Sequence, residues 1–207
     1  PAQSQTATFA LGGCRRPDSQ FGSMDGGVRT RVGDAGGTKK NPTYHSLGDH
    51  TETIQIDFDP ERITYETLLS IFWASHEPTS RSWSRQYKAV IFYHDEEQRN
   101  LAVATKDRLE EKIGARIHTE ILPYTEFYLA EPYHQKYRLR SVRDIMAEFS
   151  AMYPLDEDFV KSTAAARVNG YLGGYGSLEV VKSQGGDLGL SPDASMRLLE
   201  IVAARRR

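Results

Sequence analysis

Between Thr6 and Leu122 the chain switches repeatedly between a two-residue and a helical hydrophobic period, and the order of those switches narrows the fold more than any other feature. Thr6–Leu11 is a short β-prone run stopped by Gly12 and Gly13. Pro17 fits the first turn of a helix, so a brief helix is expected from about Arg16 to Met24. A second strand follows at Gly27–Gly33, then a loop rich in Gly, Lys, Asn and Pro from Asp34 to His50. Glu52–Phe58 alternates with period two and ends at Asp59-Pro60. Thr64 is placed to cap a helix carrying Leu68, Leu69, Ile71, Phe72 and Trp73. Ala89–Tyr93 is a strong strand, Glu96–Lys112 a charged helix, and Ile117–Leu122 a last strand before Pro123.

The series opens with the order βαββαβ, which belongs to the ferredoxin-like sandwich, an α+β fold with helices on one face of the sheet. Glycine marks where this regularity stops. Nine of the 17 glycines precede residue 49, only Gly114 lies in the middle, and seven fall between 170 and 189. After residue 131 the chain is expected to be helical through about Met152, and then irregular through the Gly170–Gly176 patch. Ser191-Pro192 opens a final helix whose end, Arg205-Arg206-Arg207, reads as solvated. The expected division is a core over residues 1–137 and a helical, glycine-rich extension over 138–207 that packs on it.

Composition removes several classes of function. The only cysteine, Cys14, cannot form an internal disulfide, a thiolate zinc site or a CxxC pair. A net charge of −2 from 26 basic and 28 acidic residues gives no overall field toward nucleic acid or an anionic membrane. There is no apolar run of membrane-spanning length, and Pro1–Thr8 lacks the basic-then-apolar shape of a signal peptide. These features lead to the expectation of a cytoplasmic monomer in a reducing compartment, where a lone thiol stays free.

Cys14 follows a strand and two glycines, at what should be a helix N-terminus, and Arg15 and Arg16 follow it. Helix dipole and guanidinium charge both favour a thiolate, so a lowered thiol pKa is expected. The plainer alternative is a buried cysteine acting as a small hydrophobe. The six histidines are not paired at ligand spacing with one another or with Cys14, so no metal site is expected, and His134 near Glu131 reads as a surface or packing residue.

Gly13-Cys14-Arg15-Arg16-Pro17 is followed in order by Thr30-Arg31-Val32-Gly33, Ala35-Gly36-Gly37-Thr38, Asn41-Pro42-Thr43-Tyr44 and His50-Thr51-Glu52. Phe72-Trp73, His76-Glu77-Pro78-Thr79, Gln86-Tyr87, Phe127-Tyr128-Leu129-Ala130-Glu131 and Tyr133-His134-Gln135 complete the series. From about Thr6 to Tyr137 the chain resembles the A-type peptide methionine sulfoxide reductases. The resemblance implies reduction of methionine S-sulfoxide, free or peptide-bound, with Cys14 as nucleophile and a sulfenic acid left on it. It implies that Glu52, protonated through burial, gives a proton to the sulfoxide oxygen, and that the hydroxyls of Tyr44 and Tyr87 hold that oxygen. Taken alone, Glu52 at the start of a strand reads as a solvated residue and the tyrosines as amphipathic packing.

Two departures bear on function. Arg15 and Arg16 stand where the family has a Phe-Trp pair that forms an apolar pocket for the substrate methyl group, and the family's Asp shortly before Gln-Tyr is missing from the shortened Thr79–Gln86 segment. Trp83 is the candidate replacement wall. Asn169-Gly170-Tyr171 matches the start of the family's recycling tail, but the residues after it hold no cysteine. As a remnant, that patch would pack over the site without resolving it. The reductant is then an external thiol, thioredoxin or glutathione with glutaredoxin, and no bound cofactor is expected. A second reading stays open, a diverged thiol protein that holds an anionic oxidised-sulfur ligand through Arg15 and Arg16.

Overall fold

The computed structural model describes residues 3–205. A six-stranded sheet is built from β1 (Gln5–Leu11), β2 (Gly27–Ala35), β3 (Thr51–Phe58), β4 (Ala89–Tyr93), β5 (Glu120–Pro123) and β6 (Phe127–Leu129), in the order β5-β4-β1-β3-β2-β6. The central β4-β1-β3-β2 quartet is antiparallel throughout, as the βαββαβ order requires. β5 pairs parallel to β4 after a helical crossover, and β6 adds antiparallel to the far edge.

One face of the sheet is covered by α1 (Arg15–Gly22), α2 (Tyr65–Ala74) and α3 (Glu96–Ile113). Odd residues of β1 and even residues of β3 point to that face, where Phe9, Ile54, Ile56 and Phe58 meet Phe21 and Phe72 in one apolar core. Each fully buried aromatic or aliphatic side chain there contributes roughly 1.5–3 kcal/mol. Thr64 caps α2 by accepting from the Thr67 N–H, and Asp95 caps α3 by accepting from Gln98.

After residue 131 the chain is helical through Met152, as expected, in a 3-10 turn at Pro132–His134, then α4 (Tyr137–Arg140) and α5 (Arg143–Met152). The region beyond Met152 differs from the expectation. In place of an irregular stretch there are α6 (Asp156–Lys161) and α7 (Thr163–Leu172), followed by α8 (Leu178–Gln184) and α9 (Pro192–Ala204). These helices enclose a second apolar core that includes Phe149, Phe159, Tyr171 and Leu198. Arg205 caps α9, whereas Arg206 and Arg207 lie outside the described residues. Among the described residues no helix is long and apolar enough to cross a membrane.

Gly170, which reads as a loop signal, lies instead in a helix contact, whereas Gly174 and Gly176 do turn the chain after α7. A Cβ on Gly170 would lie 2.5 Å from the Ser23 Cβ and 2.6 Å from the Ser19 carbonyl oxygen, and one on Gly22 would lie 2.6 Å from the Ala166 carbonyl oxygen. α7 therefore lies directly against the back of α1. Arg167 donates to the carbonyls of Gly22 (3.0 Å) and Gly27 (2.6 Å), and Asn169 accepts from the Leu139 N–H (3.0 Å). The Asn169–Gly176 segment thus supports α1 from behind and does not pack over Cys14.

Candidate active site

The strand registers bring the chemistry to one rim of the sheet. β1 ends where β3 and β4 begin, and β2 ends there too, because all its neighbours run antiparallel. Gly12 (φ 87°) and Gly13 (φ 152°) make the turn out of β1 in backbone regions that a side chain disfavours, and Cys14 lands at the N-cap of α1. Glu52 is the second residue of β3. Tyr87 ends a 3-10 turn, Arg85–Tyr87, just before β4, and Tyr44 comes from the loop between β2 and β3.

These four residues line one cleft of about 350 Å³ with Arg15 and His134. The Cys14 thiol donates to Glu52 Oε1 at 3.5 Å, and Gln86 Nε2 donates to Oε2 at 3.4 Å. Cys14 is 6% exposed and Glu52 7%. Burial raises the Glu52 pKa, against the lowering effect of hydrogen bonds from Cys14 and Gln86 and of the Arg15 charge. Glu52 is therefore a desolvated carboxyl and not a solvated strand residue.

The thiol is not poised as a thiolate. Burial first, then the Glu52 charge and hydrogen bond, push the Cys14 pKa up, and Arg15 only partly opposes them. The expectation of a lowered pKa fails because it weighed helix dipole and arginines without the desolvation that the packed site imposes.

Tyr87 also has a raised pKa, from desolvation first and then from Glu52 and Tyr44. Tyr44 is tethered by its backbone N–H, which donates to Glu131 Oε1 at 3.2 Å. Its ring lies 4.9 Å from that of His134. His134 is the residue that sequence reasoning passed over. It is 4% exposed, both ring nitrogens lack a hydrogen-bond partner, and burial lowers its pKa, so it faces the cleft as a neutral ring. The signal available in the sequence is its place in Tyr133-His134-Gln135, one of the segments that carry the family resemblance.

Both arginines line the cleft, and both are engaged. The Arg15 guanidinium lies 3.6 Å from the centroid of the Tyr137 ring, and Arg16 donates to the Ser75 carbonyl. Trp83 does not wall the site. It is 90% exposed and absent from the cleft lining, and its ring lies 6.2 Å from that of Tyr87 between centroids. Its polar loop, Ser80–Ser84, offers nothing apolar to hold an indole over the cleft. Among the described residues no group of three His, Cys, Asp or Glu side chains is arranged to hold a metal ion.

A rim-mounted thiol bonded to a buried carboxyl, with two phenols across the cleft, defines a thiol oxidoreductase site on an α+β sheet. The family model described as peptide methionine sulfoxide reductase matches residues 5–167, and one described as the helical domain of selenoprotein methionine sulfoxide reductase A matches residues 155–202. A peptide methionine sulfoxide reductase of Drosophila melanogaster is 41% identical over 189 residues, covering 90% of this chain and 76% of the relative. Peptide methionine sulfoxide reductase A5 of Oryza sativa is 38% identical, covering 81% and 68%. Among solved structures, methionine sulfoxide reductase A of Corynebacterium diphtheriae superposes with a TM-score of 0.60 at 28% identity, covering 69% of this chain and 76% of that one. Reduced Mxr1 of Saccharomyces cerevisiae gives 0.64 at 26% identity, covering 69% and 88%. The chain belongs to the peptide methionine sulfoxide reductase family, A type, and is an oxidoreductase that reduces methionine sulfoxide in a thiol-dependent reaction. Nothing in these comparisons favours an anion-binding protein built on Arg15 and Arg16.

Proposed function

We propose that Cys14 attacks the sulfur of methionine S-sulfoxide, free or in peptides, while Glu52 supplies the proton to the sulfoxide oxygen and the hydroxyls of Tyr44 and Tyr87 hold that oxygen. The observation that carries this assignment is the 3.5 Å contact between the Cys14 thiol and Glu52 inside the cleft. The net reaction moves one oxygen: thiol and sulfoxide become sulfenic acid and thioether, and the thiol proton ends on the sulfenic oxygen. Leu11, Pro17 and the rings of Tyr44 and His134 replace an aromatic pair as the wall for the substrate methyl group.

Cys14 is the only cysteine of this sequence. The sulfenic acid is therefore resolved by a thiol from outside these residues, thioredoxin or glutathione with glutaredoxin. In this reading a core over 1–137 carries the chemistry and residues 138–207 back it. The enzyme acts as a cytoplasmic monomer in repair of oxidatively damaged protein.

Reduced protein mixed with methionine S-sulfoxide and no reductant should give one equivalent of methionine per Cys14, with one trappable sulfenic acid. The R epimer should give none. Methionine formed by a Cys14→Ser variant at the wild-type rate would overturn the assignment.

A further inference from the structure

The β2–β3 register places Asp34 directly opposite Glu52. Opposed residues of an antiparallel pair project to the same face, with Cβ atoms about 5 Å apart. Asp34 is 4% exposed and Glu52 7%, so two carboxyls share one dry side of the sheet at the rim that carries the cleft. Glu52 lines the cleft and Asp34 does not, so substrate meets the first and leaves the second behind it. Two desolvated carboxyls on facing residues repel when both are ionised, so each favours the protonated form of the other.

Other groups around Asp34 reinforce this more than they oppose it. Glu131, from the segment after β6, adds a third negative charge, and His50, from the loop before β3, works against it. Tyr128 of β6 stands opposite Asp34 on its other side. Burial, followed by Glu52 and Glu131, pushes the Asp34 carboxyl up to about 7. Nothing in the sequence motifs points to Asp34, which falls in the gap between Thr30-Arg31-Val32-Gly33 and Ala35-Gly36-Gly37-Thr38.

We propose that Asp34 is a positioning residue for the reaction's proton: by carrying the pair's negative charge itself it keeps Glu52 protonated until Glu52 donates to the sulfoxide oxygen, and it draws the Cys14 proton back to Glu52 afterwards. The inference rests on the reading of Glu52 as the acid. The proton is lent and returned. Glu52 protonates the oxygen as Cys14 sulfur attacks, the Cys14 thiol proton passes to Glu52 Oε1, and the Asp34–Glu52 pair ends the step with the one proton it held at the start. The net change remains oxygen transfer from the substrate sulfur to the Cys14 sulfur.

Two measurements on the full chain test this separately from the acid assignment. In the resting protein, carbon NMR titration of labelled carboxyls should show Asp34 titrating near neutral pH in the wild type and about one unit or more lower in Glu52→Gln, where the like charge is gone. An Asp34 titration unchanged by Glu52→Gln overturns the pairing, whatever that variant does to activity. In single turnover, the alkaline limb of the wild-type rate should move about one pH unit toward acid in Asp34→Asn, with equal rates below both limbs. A uniform fall in rate with the limb unmoved would mean that Asp34 only supports the structure, and would overturn the proposal. Full activity of Glu52→Gln, by contrast, would remove the acid assignment and leave the carboxyl pair standing.

Discussion

The Cys14 thiol donates its hydrogen to Glu52 Oε1 at 3.5 Å, and each group changes the other's proton affinity. The carboxylate raises the thiol's pKa by charge and by hydrogen bond, while the thiol's hydrogen bond lowers that of the carboxyl. Glu52→Gln should therefore have two opposite effects. Methionine formation in single turnover should fall about 10²–10⁴-fold, the usual loss when a positioned proton donor is removed. The Cys14 pKa, followed by thiolate absorbance, should fall below the wild-type value. A variant that loses activity with an unchanged thiol titration would contradict the contact.

A second buried pair holds α1, the helix that Cys14 caps. Lys136 has no exposure and Asp18 none, and Lys136 Nζ reaches Asp18 Oδ1 at 3.4 Å and the Thr30 hydroxyl at 2.9 Å. The Lys136 backbone N–H donates to Asp18 Oδ2 at 2.8 Å, which accounts for the left-handed backbone there (φ 51°, ψ 47°). Lys136→Met should cost about 3–5 kcal/mol in urea unfolding, because Asp18 is left buried without its countercharge. Adding Asp18→Asn to it should recover part of that loss.

The contact between α1 and α7 leaves no room for growth. Gly170→Ala places a methyl 2.5–2.6 Å from Ser23 and the Ser19 carbonyl, both held in helix α1 and its cap. The expected cost is about 1–3 kcal/mol, read as a lower thermal midpoint. Gly185→Ala, where a Cβ meets nothing within 4 Å, is the control and should change little.

Trp83→Ala should leave KM and kcat for methionine sulfoxide within about twofold of wild type, since an exposed residue away from such features rarely matters. A tenfold rise in KM would mean that the loop folds over the cleft when substrate binds.

The strands and helices of the core were legible because each face has a single burial partner. Phe9, Ile54 and Phe58 repeat at period two, and Leu68, Leu69 and Phe72 at helical period, for that reason. β6, three residues long, carries too few positions to show a period, and Gly170 and Gly173 look like helix breakers until a second helix explains them. The Cys14–Glu52–Tyr44–Tyr87 constellation was implied by the family resemblance, and the structure brings the four into one cleft. The protonation of its members was not legible, because local charge pattern is visible in a sequence and desolvation is created only when distant segments close over a site. Asp34 and His134 were missed for the same reason, since neither gains significance until Glu52 and Tyr44 are beside it.

The strands that deliver these residues meet across separations of tens of positions, so Cys14 is sealed only once the sheet has closed. In an unfolded chain the same sulfur is an ordinary thiol with a pKa of about 8.5, open to any passing oxidant or alkylating agent. Completing the fold buries it in a cleft shared with Glu52, Tyr44 and Tyr87, and so narrows that indiscriminate chemistry to what the cleft admits.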